Sequence, residues 1–313
     1  MNIVFLDGAS LPSAMQRPTF ANSWTVRERT GPDEVVAALA DAQVAITNKV
    51  KLGRVQLERL PGLKLICVAA TGYDCIDIAA CRDLGVTVCN APAYSAVSVA
   101  EAVVASLFAL RRRLFEYREA ASRQWPTSNH FCVHGTPILD IRGATLGIVG
   151  RGDIGSRVAR LASALEMKVI FAEHRGAATI REGYVSFEDM LQQSDAITLH
   201  CPLTAQTQHL IGAPQLAQMK PGALLINTAR GPLIDEHALL EALQSGHLGG
   251  VALDVLDGEP PRADHPLLNC HLPNLIITPH VGWASQSSVS RLKDILLSNI
   301  QAFAAGKPIN VVC

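Results

Sequence analysis

No excess of either charge marks this chain. Its 313 residues include 27 basic and 28 acidic ones, so nothing electrostatic favours nucleic acid or an anionic membrane as a partner. The apolar run Ala102–Leu110, closed by Glu101 and Arg111, is far too short to span a bilayer. The opening residues Met1–Asp7 carry no basic region and no cleavage site, so a first strand is expected there rather than a signal peptide. The eight cysteines include no CxxC pair and no His/Cys cluster with zinc-site spacing, so no metal site is expected. Buried free thiols in a reducing cytoplasm are expected, Cys67 and Cys89 among them. No internal repeat and no low-complexity segment is visible, and no regulatory domain would fit beyond Cys313.

What is present suggests two domains with well-buried cores. Half of the chain is apolar (49%), and the length suffices for two units of ordinary size. Strands are predicted at Asn2–Leu6, Val44–Thr47, Leu65–Ala69 and Val86–Cys89, with a helix at Asp33–Ala40. This alternation predicts a small parallel sheet. One long helix is predicted from Ser98 to about Arg123, with Ser98 and Glu101 as a capping box. Arg111–Arg113 read as solvated. Residues 124–142, rich in Asn, His, Gly and Pro, read as an extended arm. Beyond it, strands are predicted at Ala196–His200, Ala223–Asn227, Val251–Asp254 and Leu275–Thr278. Helices are predicted at Asp235–Gln244 and from Gln286 to about Ala304, the latter with a stripe of Leu292, Ile295, Leu296 and Ile300.

The most specific local signal is Gly150-Arg151-Gly152-Asp153-Ile154-Gly155. It follows the apolar run Thr145–Val149 and opens an amphipathic stretch with Val158, Leu161 and Leu165 on one face. A second apolar run, Lys168–Ala172, ends at Glu173. Strand, glycine turn, helix, strand and acid together form a dinucleotide-binding fingerprint. Gly150 permits the turn, Gly152 lets backbone approach a pyrophosphate, and Gly155 lets helix and strand pack closely. Helix N-terminal amides would face the phosphates. Asp153 is mildly unfavourable there unless it points to solvent or caps an amide. Glu173 would accept hydrogen bonds from the adenosine ribose and repel a 2′-phosphate, which favours NAD. His174 and Arg175 keep NADP open as the alternative, because a nearby arginine can accommodate that phosphate.

Three ionisable residues are predicted at strand ends on the same side. Arg230 follows the strand ending at Asn227, His280 follows the one ending at Thr278, and Glu259 lies in the turn Asp254–Pro261. Reducing a 2-keto acid needs a cation for the carboxylate and carbonyl, an acid for the developing alkoxide, and a partner that keeps that acid charged. Arginine, histidine and glutamate suit those roles. Taken singly, each has an ordinary alternative as a surface ion pair or a turn residue.

With His200-Cys201-Pro202-Leu203-Thr204, Ile226–Gly231, Asp254–Pro261 and Thr278–Ser285, the whole chain resembles the D-isomer-specific 2-hydroxyacid dehydrogenases. The resemblance implies an α/β fold of two doubly wound parallel-sheet domains. A Rossmann NAD domain at 98–286 would be inserted into a flavodoxin-like substrate domain at 1–97 and 287–313, with the active site in the cleft between. It implies that Arg230 binds substrate, that His280 is the acid/base and that Glu259 pairs with it. Asp254 would hold the nicotinamide carboxamide. Cys201, Pro202 and Thr207 would line the adenosine side, and Ile154, Thr228, Ala229 and Gly282 would border the cofactor. Thr71, Gly72 and Tyr73 match the loop that cradles the substrate carboxylate, and Trp283 would wall the pocket. Lys49 either approaches that pocket or is solvated, and Tyr73 either touches substrate or fills space. The implied substrates are hydroxypyruvate, with D-glycerate as product, and then glyoxylate. That choice of substrate rests on the overall resemblance, especially at Phe131-Cys132 and Ala172-Glu173. A homodimer built through the cofactor domain is implied as well. An NADH-sensing corepressor or scaffold on the same fold is the competing class, because such proteins can keep all three residues.

Overall fold

The computed structural model describes residues 1–313. The chain divides into two units, one of residues 1–95 with 284–313 and one of residues 96–283. No helix is long and apolar enough to cross a membrane.

The first unit is built on β1 (Asn2–Phe5), β2 (Ser23–Val26), β3 (Val44–Thr47), β4 (Leu65–Val68) and β5 (Thr87–Cys89). The order is β2-β1-β3-β4-β5 with every neighbour parallel, the flavodoxin-like arrangement. Strands covered on both faces need apolar residues throughout, and β3 and β4 are buried at every position. Leu39, Leu52, Ile66 and Val88 lie in the core they share with flanking segments. The helix Gln286–Ala304 buries Val289, Leu292, Leu296 and Ile300, and Asn299 Nδ2 donates to Asn90 O at 2.9 Å. The tail then runs beside β5, where Val312 N donates to Val88 O at 2.8 Å. Residues from the two ends of the chain thus complete one unit.

Two elements of this unit differ from expectation. β2 alternates polar and apolar residues over only four positions, Ser-Trp-Thr-Val, and is mostly exposed. It is an edge strand set by pairing with β1, which a search for buried stripes cannot find. The helix predicted at Asp33–Ala40 is a 3₁₀ turn, Pro32–Glu34, followed by a single α turn, Val35–Ala38.

The second unit carries β6 (Thr145–Val149), β7 (Lys168–Ala172), β8 (Ala196–Leu199), β9 (Leu224–Asn227), β10 (Gly250–Leu253) and β11 (Leu275–Ile277). Its order is β11-β10-β9-β8-β6-β7, again all parallel. β6 has β7 on one side and β8 on the other, so the strand order reverses there. In open parallel sheets, ligands bind outside the carboxyl ends of the strands at such a switch point. A bridge between Ala172 and Val185 extends this edge by one residue pair.

The predicted helix from Ser98 to Arg123 is two helices, Ala96–Arg111 and Leu114–Arg123. The break falls at Arg113, whose φ is +54°. Arg113 is not a solvated helix end. Its Nη1 donates to Gly249 O at 2.8 Å and pairs with Glu116 at 3.1 Å. The capping box is also absent: the helix starts at Ala96, and Ser98 lies buried inside it. The Ser98 hydroxyl donates instead to Gly282 O at 2.6 Å, so a tertiary partner takes the group that local pattern assigned to a cap.

Two glycines fix how β6 meets the following helix. Gly150 has φ +98°, and a Cβ there would lie 2.6 Å from His200 O. A Cβ on Gly155 would lie 2.0 Å from Gly150 O, a backbone atom that no rotamer change can move aside. Gly155→Ala should therefore cost about 3 kcal/mol or more of stability, the upper end for overpacking. The check is the urea midpoint at unchanged m-value, and a midpoint equal to wild type would contradict this packing.

Candidate active site

The turn after β6 leaves room at a helix N-terminus. Helix Asp153–Ala164 begins with Gly152 in the capping position and no side-chain cap, so its first N–H groups await an acceptor. A Cβ on Gly152 would meet nothing within 4 Å. That open space before unpaired amides fits a pyrophosphate. Asp153 is exposed, and Ile154 packs partly against the core. Beyond β8, Cys201 is partly buried and desolvation pushes its thiol up to about 11. Thr207 Oγ1 donates to Pro202 O at 2.7 Å and accepts from Thr204 N at 2.7 Å, which holds the Pro202–Thr207 turn closed.

Glu173 ends β7, where the sequence places it, but its carboxylate is already engaged. Arg181 grips both oxygens through Nε at 2.6 Å and Nη2 at 2.7 Å. His174 N donates to Oε1 at 2.9 Å. The Arg181 hydrogen bonds, then that of His174, hold the Glu173 pKa down to about 2. His174 and Arg175 are exposed. Arg181 was not a predicted site residue. It stands eight positions past Glu173 in an irregular stretch, so no periodicity links the two, and only the return of the chain at Val185 brings it back.

The predicted chemical residues stand on loops after β9, β10 and β11. Arg230 sits just beyond β9 in a loop held by Asn227, whose Nδ2 donates to Arg230 O at 2.8 Å while its Oδ1 accepts from Ala229 N at 3.0 Å. A Cβ on Gly231 would overlap the Leu256 backbone at 2.0 Å. The Arg230 loop thus lies directly on the Leu256–Asp257 segment that leads to Glu259. Glu259 Oε1 accepts from Leu256 N at 3.1 Å, and Oε2 lies 2.6 Å from His280 Nδ1. The pair is about a quarter to a third exposed (26% for His280, 33% for Glu259), so it stays within reach of a ligand. Trp283 Nε1 donates to His280 O at 2.9 Å.

Asp254 braces this arrangement. Its Oδ1 accepts from Thr278 Oγ1 at 2.5 Å and from Val281 N at 2.9 Å, and its Oδ2 accepts from Gly282 N at 2.8 Å. A buried carboxylate with three donors fixes the loop on both sides of His280. The family resemblance implies that Asp254 holds the nicotinamide carboxamide; the side-chain contacts present here are all to the loop. Thr228, Asp254 and Thr278 also line a pocket of about 240 Å³ with Ala102, Ala105 and Phe115. Thr228 Oγ1 is buried in this unit without a hydrogen-bond partner, an orphan group of the kind a polar ligand satisfies.

The remaining predicted residues belong to the first unit. Asn48 N and Lys49 N donate to the Asp7 carboxylate at 2.9 and 2.8 Å, which ties the loop after β3 to the end of β1. Lys49 is exposed. After β4, Thr71 Oγ1 donates to Ala91 O at 2.9 Å and Asn90 Nδ2 donates to Thr71 O at 2.8 Å. Gly72 is partly buried. Tyr73 is 38% exposed, so it does not fill the core. Lys49 and Thr71–Tyr73 gather at the carboxyl edge of the first sheet, as Arg230, Glu259 and His280 do at that of the second.

Residues 104–282 match the family described as D-isomer specific 2-hydroxyacid dehydrogenase, NAD binding domain. The chain belongs to this family. It is an NAD-dependent oxidoreductase of the D-2-hydroxyacid class. Among family members, the glycerate dehydrogenase of Methylorubrum extorquens is 46% identical over 312 residues, 99% of this chain and 98% of that protein. The hydroxypyruvate reductase of Blautia hydrogenotrophica is 36% identical over 287 residues, 90% and 88% of the two chains. The D-lactate dehydrogenase of Aquifex aeolicus, solved with NAD and lactic acid, matches with a TM-score of 0.80 at 30% identity, over 97% of this chain and 96% of that one.

His200, whose backbone lies against Gly150, gives this dehydrogenase a pH signature. Burial pushes its imidazole down to about 3. The unfolded chain takes up this proton near the ordinary value of 6.5, while the folded protein resists it until about 3. Stability is therefore full above pH 6.5 and falls as pH drops towards 3. Between pH 7.5 and 4.5, wild type should lose about 3 kcal/mol more than His200→Gln, at ~1.4 kcal/mol per pK unit. Urea unfolding at the two pH values measures this, and equal losses would refute it.

Proposed function

We propose that the protein reduces hydroxypyruvate to D-glycerate with NADH, and glyoxylate as a second substrate. The observation that carries the reading is the 2.6 Å contact of His280 Nδ1 with Glu259 Oε2, on a loop packed against that of Arg230. The glycerate dehydrogenase and hydroxypyruvate reductase relatives support the choice of substrate.

When bound, NADH supplies the hydride. The chain's residues do the rest. The Arg230 guanidinium binds the substrate carboxylate and polarises the keto oxygen, which favours charge on that oxygen. His280 gives a proton to the oxygen as the carbonyl becomes a hydroxyl, and Glu259 orients the ring through Nδ1 and offsets its positive charge. In the first unit, Lys49 and the Thr71–Tyr73 loop are the candidates for contact with a carboxylate; in the second, Trp283 stands beside His280. Thr228, Ala229, Asp254 and Gly282 border the nicotinamide end, with Cys201, Pro202 and Thr207 at the adenosine end.

We further place the protein in the cytoplasm as a homodimer. The eight free thiols suit a reducing compartment. Leu114, Phe115, Trp125 and Phe131 are exposed, Phe131 by 91%. A cluster of exposed apolar side chains in one segment is costly to leave in water, and a second copy would cover it.

Oxidation of NADH should be fastest with hydroxypyruvate in a panel of small 2-keto acids. No turnover with any of them would reject the enzymatic reading in favour of an NADH-sensing scaffold. His280→Ala should lower kcat by about 10²–10⁴-fold, and a near-normal rate would remove His280 from the acid role. Glu259→Gln removes the carboxylate that holds the His280 ring through Nδ1, so kcat for keto-acid reduction should fall by about tenfold or more. A rate equal to wild type would count against the pairing. Sedimentation equilibrium should give twice the chain mass, and Phe131→Asp with Trp125→Asp should shift it towards one.

A further inference from the structure

The carboxylate that should select NAD is neutralised before any nucleotide arrives. Glu173 has a 3% exposed side chain and receives four N–H groups: two from the Arg181 fork, one from His174 N and one from Arg181 N at 3.3 Å. A carboxylate has about four lone-pair sites, so ribose hydroxyls must displace Arg181 to be accepted. The Arg181 side chain is 56% exposed and lies with its guanidinium carbon 4.2 Å from the Tyr184 ring centre. Arg151, inside the glycine turn, approaches the same ring at 5.6 Å and Phe171 at 4.6 Å. Two guanidiniums therefore share one aromatic platform beside one carboxylate. Exposed Arg175 lies two residues beyond Glu173 on the same segment.

These contacts bear on the ribose end in two ways. Repulsion between Glu173 and a 2′-phosphate is cancelled by the Arg181 fork. With Nε and Nη2 committed to Glu173, the third guanidinium nitrogen of Arg181 and the whole Arg151 group can still donate to an anion. Arginine next to the ribose acid is the usual means of accommodating a 2′-phosphate, and guanidinium suits phosphate oxygens. We infer that Arg181 is a specificity-determining residue which, with Arg151, lets this site accept the 2′-phosphate of NADPH as well as the plain ribose of NADH. The inference rests on the Gly150–Gly155 turn being the nucleotide site and goes beyond the NAD dependence of the family.

Direct titration of the purified protein with each reduced nucleotide, followed by calorimetry or tryptophan quenching, tests it. Wild type should bind NADPH within about tenfold of NADH, and raising the salt concentration should weaken NADPH more than NADH. In Arg181→Ala the ratio of the NADPH to the NADH dissociation constant should rise at least tenfold, because a phosphate ligand is lost and Glu173 regains its charge. Arg151→Ala should move the ratio the same way by less. Arg181→Gln, which keeps a hydrogen bond to Glu173 without the charge, provides a folded control for the alanine variant and should also raise the ratio. Wild-type NADPH binding more than tenfold weaker than NADH, or a ratio unmoved in both Arg181 variants, overturns the proposal. Failure to bind either nucleotide would instead overturn the assignment of the site.

Discussion

Parallel strands deliver all of their outgoing loops to one edge of a sheet, and this constraint governs where chemistry can sit. Both sheets are wholly parallel. Every loop that leaves a strand therefore starts at the same edge, whatever its place in the sequence. Gly150–Gly155, Glu173, Cys201, Arg230, Asp254 and His280 lie far apart along the chain, yet each follows a strand of the second sheet. Reversal of the strand order at β6 opens the crevice in which a dinucleotide can lie.

Gathering loops at an edge does not by itself set side chains to within a hydrogen bond. Buried polar groups in the loops perform that second task. Asp254 accepts from three groups on the segment around His280, and Asn227 ties both sides of Arg230. Gly231 lets the Arg230 loop lie against the Leu256 backbone. None of these groups needs to touch substrate to matter. Asp254 and Asn227 each hold a loop in place through hydrogen bonds that would be costly to leave unmade in the interior.

Much of this was legible in the sequence because the signals are local. The fingerprint, the buried runs at β3, β4 and β6, and the stripe on the helix Gln286–Ala304 are periodic or positional patterns within a few residues. The positions of Arg230, Glu259 and His280 beyond strand ends followed from those runs. Features decided by distant partners were not legible. β2 exists because β1 pairs with it, and Ser98 gave up a capping role to bond Gly282, 184 residues away. The helix break at Arg113 accompanies a bond to Gly249, 136 residues on.

The sequence alone determined that a glycine-rich strand–turn–helix pattern stands between two stretches of another α/β unit, because glycines, apolar runs and acidic punctuation act over short separations. It also determined which residue types were available at the strand ends. Tertiary structure decided what those residues do to one another. It placed Arg181 on Glu173, so that the acid after β7 carries a guanidinium across its face. It turned Asp254 towards the His280 loop and set His280 against Glu259. The physical reason is that hydrogen bonds and ion pairs depend on separations of about 3 Å between side chains, and only the folded chain fixes those.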